Sequence, residues 1–517
     1  MKMFKGSFRA AAALAIIALT ACGGSNGGGN LPLTSTGSTP DAGLTQQNYV
    51  GIGDSLTAGY QASGLLGAAT ATSPVSALPG NIVPPTQEAG FWALFYQQAT
   101  GKSAATTGAL PLIKAPGLGG QLVVSAQAPG FAATHSSCDT FNGAAFSSTN
   151  WGATRVSPVA PIADIAVPGI TMHEAVSMTG PLTGPPTGPN CGFVTVPGDP
   201  TSGGLQSLVA GESLMYYPIL GQFAATLPPG TATELNAAVS LKPQLTTVWL
   251  GANDLLKFIF SHGNSPATDT PQQLAADLTQ IVTTLQKAGS KVVVANIPDI
   301  LGNGSTEPPV PQFFPIAKLS FDLQGLGVPQ TIANNVQAYV QATYTGSTGF
   351  LTESGFFSVA GQIKAGAPSI NLDPNGAGSG DGTLYLDSAF AAQALALNAA
   401  YNQAIDQVAA GTGSALADIQ TTFQQINAAH GVTLAPGVTL TTQFGGGLLS
   451  YDGLHPSNTA YALLANVFIG AADTKFSLTI PPLSNAQIGA IAQTDTYNPY
   501  VIKAALPPGA VWPYPLP

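Results

Sequence analysis

The segment from Thr246 to Asn296 constrains the fold more than any other, because two short apolar runs flank one amphipathic helix. Thr246 to Leu250, TTVWL, ends at Gly251-Ala252-Asn253-Asp254, and Lys291 to Asn296, KVVVAN, has the pattern of a strand buried on both faces. Between them Thr270 can cap, Pro271 suits the first helical position and Gln273 would complete a capping box. Leu274, Leu278, Ile281, Val282 and Leu285 recur on one face before Gly289 stops the helix. Strand, helix and strand in this order make a βαβ unit, whose parallel strands need helices on both faces. The alternation recurs elsewhere. Tyr49 to Ile52 reads as a strand stopping at Gly53-Asp54-Ser55, Ala389 to Ala410 as a helix stopped by Gly411, Ser414 to Ile419 as a strand, and Ser457 to about Ala471 as a last helix. The expected fold is α/β, a three-layer α/β/α sandwich with a central, mainly parallel sheet, binding ligands beyond the carboxyl ends of its strands.

Three stretches rich in Gly, Pro, Ser, Thr and Ala interrupt this pattern, at about 61–160, 172–240 and 301–385. Loops of that length are usually functional or hold uncalled structure, and here they read as insertions that cover or shape a site. The expected organisation is an export leader at 1–21, a flexible tether at 22–45, the α/β domain at 46–475 and a Pro-rich C-terminal strap, extended on the surface, at 476–517.

Asp, Glu, Lys and Arg make up only 7% of the 517 residues, where about 25% is usual. Lys plus Arg is 14 against 24 for Asp plus Glu, a net charge of −10, which argues against a nucleic-acid partner. Lys2, Lys5 and Arg9 precede an apolar run from Ala10 to Thr20 that is too short to span a bilayer and reads as an export signal. Its end, Leu19-Thr20-Ala21-Cys22, resembles the lipobox of bacterial lipoproteins. That resemblance implies cleavage before Cys22, a lipid on its thiol, a membrane anchor in the cell envelope and, with Gly23 next, the outer membrane. The plainer alternative is an ordinary cleaved secretory signal with a chance cysteine. Cys138 and Cys191 remain as an even pair in an oxidising compartment, so one disulfide is expected, with two buried free thiols as the alternative.

Polar groups collect at the predicted strand ends. Ser55 sits in a tight turn after the first strand, and a serine hydroxyl needs a base to act as a nucleophile. Asp452 and His455, in Asp-Gly-Leu-His-Pro, are spaced so that the carboxylate can reach one imidazole nitrogen while the other faces outward. An oxyanion needs fixed donors, for which the candidates are the Ser55 amide, the Gly169 amide in Ala166-Val167-Pro168-Gly169-Ile170, and the Asn253 side chain. With these blocks in this order, and with Asn296-Ile297-Pro298-Asp299, the chain resembles the SGNH, or GDSL-type, esterase and lipase superfamily. The resemblance implies a flavodoxin-like SGNH hydrolase fold in which Ser55 is nucleophile, His455 base and then acid, Asp452 its orienter, and Ser55, Gly169 and Asn253 the oxyanion donors. It implies cleavage of carboxylic esters through an acyl-enzyme.

Other readings of the residues are more modest. Asp54 and Asp254 read as turn and capping residues, and His135, His173, His262 and His430 lack ligand-spaced partners, although His173 lies close enough to Gly169 to touch substrate. Asp373-Pro374-Asn375-Gly376 with Asp381-Gly382 faintly suggests a calcium loop, but the spacing departs from an EF-hand and the closing Glu is missing. No metal site and no cofactor is implied. An ordinary α/β-hydrolase fits less well, because Thr57 takes the last position of its G-x-S-x-G elbow. The expected substrate is a lipid-like ester, with an acylated carbohydrate as the alternative within the same fold. The rival from another class is a non-catalytic surface binding lipoprotein. The sequence leaves the oligomeric state unknown.

Overall fold

Strands and helices alternate along much of the described chain. Its first half runs β1 (Tyr49–Gly53), α1 (Phe91–Thr100), α2 (Met172–Ser177), α3 (Gly204–Thr226), α4 (Glu234–Ser240), β2 (Leu245–Trp249), α5 (Ala252–Phe260), α6 (Pro271–Lys287) and β3 (Lys291–Ala295). It continues through β4 (Phe313–Pro315), α7 (Leu319–Gly325), α8 (Gln330–Val340), β5 (Phe350–Thr352), α9 (Glu353–Lys364), β6 (Tyr385–Leu386), α10 (Ser388–Thr412), β7 (Ala415–Ala417), α11 (Ile419–Ala428), α12 (Asn458–Phe476), α13 (Asn485–Thr494) and α14 (Pro499–Ala505). The computed structural model describes residues 44, 48–62, 64–67, 86–114, 122–124, 133–135, 155–157, 162–180, 204–264, 269–302, 310–373 and 384–505. The leader, Cys22, the Cys138 and Cys191 pair, and residues 374–383 of the calcium-like loop lie outside them.

The central sheet is parallel in the order β1-β2-β3-β7, with Ile52 opposite Val248 and Val248 opposite Val294. Helices flank it, as the run of strands buried along their whole length requires. Residues 163–167 add a further extended segment on the free edge of β1. Gly51 N donates to Ala163 O at 2.9 Å, Ile165 N to Gly51 O at 3.1 Å and Val167 N to Gly53 O at 3.0 Å, in parallel sense. The chain order across the sheet therefore reverses at β1. Open α/β sheets place their binding crevice at such a switch point, beyond the strands' carboxyl ends.

Packing holds β1 in place. Tyr49 stacks on Trp92 and Phe95 of α1 at 5.1 and 4.6 Å, and Phe91 stacks on Phe468 of α12 at 4.2 Å, so α1 and α12 cover one face together. A Cβ on Gly51 would come within 2.5 Å of Trp92, so only glycine lets α1 lie this close. On α6, Leu274, Leu278, Ile281, Val282 and Leu285 are all buried, which stabilises the fold by on the order of 10 kcal/mol.

Several expectations need correction. Thr270 accepts from Gln273 N at 3.1 Å, but the Gln273 side chain donates to Asp277 at 2.9 Å, so the capping box is only half formed. Helix α10 runs through Gly411 and stops at Gly413, which adopts φ 71°, because nothing at Gly411 opposes helical geometry and no neighbour crowds it. The described part of the C-terminal stretch, to residue 505, is helical rather than an extended strap: Ser484 builds a full capping box for α13, and α14 follows. The insertions also carry structure. Helices α1 to α4 fall within the first two, and the third holds the antiparallel sheet β4-β5-β6 with α7 to α9 and a core of its own around Leu319, Leu323, Leu351, Phe356 and Leu372.

Candidate active site

The end of β1 turns sharply. Asp54 Oδ1 accepts from Leu56 N at 2.9 Å, an Asx turn that lifts Ser55 above the sheet. A Cβ on Gly53 would meet Thr57 Oγ1 at 2.1 Å and Trp249 O at 2.8 Å, so this turn needs glycine. Ser55 faces the loop before α12. There Asp452 Oδ1 accepts from His455 N at 2.9 Å, Leu454 N at 3.0 Å and Ser450 Oγ at 3.0 Å, while Gly453 takes φ 67° to close the turn. These bonds leave Asp452 Oδ2 pointing at His455 Nδ1, 2.7 Å away, and His455 Nε2 lies 2.8 Å from Ser55 Oγ. The Tyr60 ring packs against the imidazole at 4.7 Å between centroids. The structure thus brings Ser55, His455 and Asp452 into one hydrogen-bonded line with all three largely buried.

Burial works to raise the Asp452 carboxyl, but the His455 ring and the backbone amides outweigh it and hold the group at about 2. An ionised carboxylate can only accept, so it selects the Nδ1–H tautomer of His455 and leaves Nε2 bare toward the serine. That is the protonation state a base needs.

The expected oxyanion donors sit at three neighbouring strand ends: Ser55 after β1, Gly169 after 163–167, and Asn253 after β2. Gly169 has φ 92°, a left-handed backbone that the Pro168-Gly169 turn requires. Neither the Ser55 nor the Gly169 amide has an acceptor among the described residues. Asn253 differs from expectation: its Nδ2 already donates to Asp54 Oδ2 at 3.1 Å and to Ile170 O at 3.0 Å. An oxyanion would share one of these protons rather than take a spare one.

Asp54 is more than a turn residue. It is buried beneath Ser55, and burial pushes its carboxyl up to about 7 against the pull of the Leu56 amide and His455. Asp254 does not cap its own helix; its Oδ2 accepts from Met172 N at 3.0 Å across the site. His173 is half exposed and bonds Asp277 at 3.0 Å, His262 stacks on Phe390 at 4.0 Å, and His430 is exposed. Groups that sequence reasoning missed include Tyr60, the buried pair of Lys257 and Glu174, and Glu353 at the start of α9. Burial raises the Glu353 carboxyl to about 8, with the Asp452 charge adding to the rise. Glu353 N donates to Gln312 O, and Gln312 in turn lies against Gly453, so the third insertion abuts the loop that holds the histidine. Lys257 carried one legible signal: a cation within the apolar run Leu255-Leu256-Lys257-Phe258-Ile259-Phe260 of a chain poor in charge. No cluster of metal-ligating side chains occurs among the described residues.

The family model described as GDSL-like Lipase/Acylhydrolase matches residues 201–468, just over half of the chain. That span holds Asn253, Asp452 and His455 and begins after Ser55 and Gly169. No curated protein matches the sequence.

Proposed function

The chain belongs to the GDSL-like Lipase/Acylhydrolase family, and from that premise we propose that it cleaves carboxylic esters through an acyl-enzyme on Ser55. The observation that carries this reading is the unbroken line from Asp452 through His455 to Ser55, at 2.7 and 2.8 Å, beside two backbone amides that have no acceptor among the described residues. In the first step Ser55 Oγ attacks the ester carbonyl and His455 Nε2 takes its proton. The tetrahedral oxyanion is held by the amides of Ser55 and Gly169 and by a shared proton of Asn253. The alcohol leaves with the proton from His455, and water, activated by the same nitrogen, then frees the acid. Asp452 keeps the ring in place and stabilises the imidazolium without itself taking the proton.

A lipid-like ester is the favoured substrate class. Phe321, Leu326, Ile332 and Tyr339 are exposed on α7, α8 and their connection, in the insertion that abuts the His455 loop. Purified protein should release p-nitrophenol from short acyl esters, and Ser55→Ala should not; equal rates would refute the reading. A series of acyl chain lengths, run beside an acetylated polysaccharide, separates lipid from carbohydrate esters. A fluorophosphonate probe separates both from a binding lipoprotein, which would stay unlabelled. The basic start, apolar run and Cys22 support a lipid-anchored, exported protein. Cys22→Ala would then release it from the membrane fraction, and unchanged partitioning would refute the anchor.

A further inference from the structure

Helix α2 begins directly after the Gly169 turn, and its own capping box of Thr171 and Glu174 is joined there by side chains from elsewhere in the fold. Helix α5 supplies three of these contacts. Asn253 donates to Ile170 O at 3.0 Å, Asp254 accepts from Met172 N at 3.0 Å, and Lys257 Nζ donates to both oxygens of Glu174 at 3.0 and 2.8 Å. Glu174 in turn accepts from Thr171 N at 2.8 Å and Thr171 Oγ at 2.9 Å. Asp269, in the loop before α6, has its carboxylate favoured by the His173 amide nearby. Lys257 is only 1% exposed, so its charge exists there because Glu174 is opposite.

We propose that Lys257, Glu174, Asp254 and Asp269 are positioning residues, a latch that sets the Gly169 amide against the Asn253 side chain in the oxyanion cradle. The proposal rests on the hydrolase reading above and names how that cradle is built. The three α5 residues lie on one helical face, so a single rigid element fixes both the Asn253 donor and the segment carrying the Gly169 donor.

The latch also contains a proton. Asp254 Oδ1 and Asp269 Oδ2 are both buried without a donor among the described residues, and the two carboxyls interact directly. Two such oxygens, both acceptors when ionised, can satisfy one another only by sharing a proton. Burial first, and the neighbouring Asp269 second, raise Asp254 well above the usual carboxylate range. The other groups facing the pair are Lys257 on α5, His173 and Glu174 on α2, Asp277 on α6, and Tyr401 on α10, whose hydroxyl donates to Asp269 O. Lys257 favours ionisation of Asp254 and His173 that of Asp269, whereas Asp277 and the second carboxyl oppose it. At high pH the shared proton leaves, the two carboxylates repel, and α2 loosens with Gly169 at its entrance.

The test uses the full chain, a short p-nitrophenyl ester and hydrogen exchange read by mass spectrometry. Lys257→Met should lower kcat by about 100-fold, the scale for a catalytic group displaced by about 1 Å, while KM changes by less than about threefold. Exchange should quicken in peptides covering 168–174 but not in those covering β2 and β3. Asp269→Ala should lower kcat, and Asp269→Asn, whose amide donates to Asp254 without titrating, should recover it and remove the alkaline fall in rate. A folded Lys257→Met protein with wild-type kcat or wild-type exchange at 168–174 overturns the latch. Should that variant not fold, equal kcat for Asp269→Ala and Asp269→Asn at every pH overturns it. A wild-type chain that cleaves no ester refutes the hydrolase reading by itself, and the exchange comparison still decides the latch.

Discussion

Replacing Asp452 with Asn asks whether this carboxylate governs which nitrogen of His455 carries the proton. Asn fills the same space, and its Oδ1 can keep the bonds from His455 N, Leu454 N and Ser450 Oγ that span 2.9 to 3.0 Å. The NH2 group is then the atom left facing Nδ1 at about the present 2.7 Å. It can only donate, so Nδ1 becomes the acceptor and the proton moves to Nε2, where it faces Ser55. A ring in that tautomer cannot take the serine proton. In the Ser-His-Asp template this change costs about 10⁴ in kcat, or about 5 kcal/mol. Burial raises the Asp452 carboxyl while the His455 ring and the backbone amides outweigh it, so the fall from 3.8 to about 2, worth about 2 kcal/mol, is a net of opposing contributions. The change of tautomer, rather than that net, sets the size of the expected effect. Steady-state hydrolysis of a p-nitrophenyl ester, with thermal unfolding as the control for folding, measures the outcome. A folded Asp452→Asn protein within about tenfold of wild-type turnover would refute the tautomer argument.

Asn253→Ala should cut turnover by about 100- to 1000-fold, measured with the same ester, although its protons already serve Asp54 and Ile170. Gly53→Ala should destabilise the fold by roughly 1–3 kcal/mol in a denaturant titration, because the added methyl meets Thr57 and the Trp249 carbonyl. Asp54 near 7 and Glu353 near 8 hold protons that an unfolded chain releases at about 4, so the stability they contribute is present in acid and is lost as pH rises through those values. The melting temperature should accordingly be higher at about pH 5 than at about pH 9, and a steady rise over that range would contradict the assignment; Asp452 opposes the trend only below about pH 4.

The parts of the molecule legible in the sequence were those with strong local signals. Strands β2 and β3 announce themselves by β-branched runs, α6 by its apolar face, and the site by polar groups placed where such strands end. The edge segment 163–167 was hidden because IADIAV is short and its pairing with β1 spans more than a hundred residues of chain. The insertion sheet β4-β5-β6 escaped for a similar reason: its strands are two or three residues long and one contains Pro315, so no alternation develops. The pairing in the latch on α2 was hidden for another cause. Lys257 stands out as a cation in an apolar run, but Glu174 lies 83 residues away, and neither spacing nor propensity marks two charges that meet only through tertiary packing. Asn253 was located by its neighbours in sequence, but its existing bonds depend on Asp54 and Ile170, which the fold alone brings within reach.

His455 and Asp452 occupy adjacent corners of one short loop, and Asp452 grips that loop's own backbone. In the proposed mechanism half of the proton-transfer apparatus is thus a self-contained cassette whose internal geometry owes little to the sheet. What the rest of the chain must achieve is a single docking distance to the serine. Partial opening of the molecule would then switch activity off while leaving the histidine correctly primed, so that reclosure restores function without any rebuilding of the dyad.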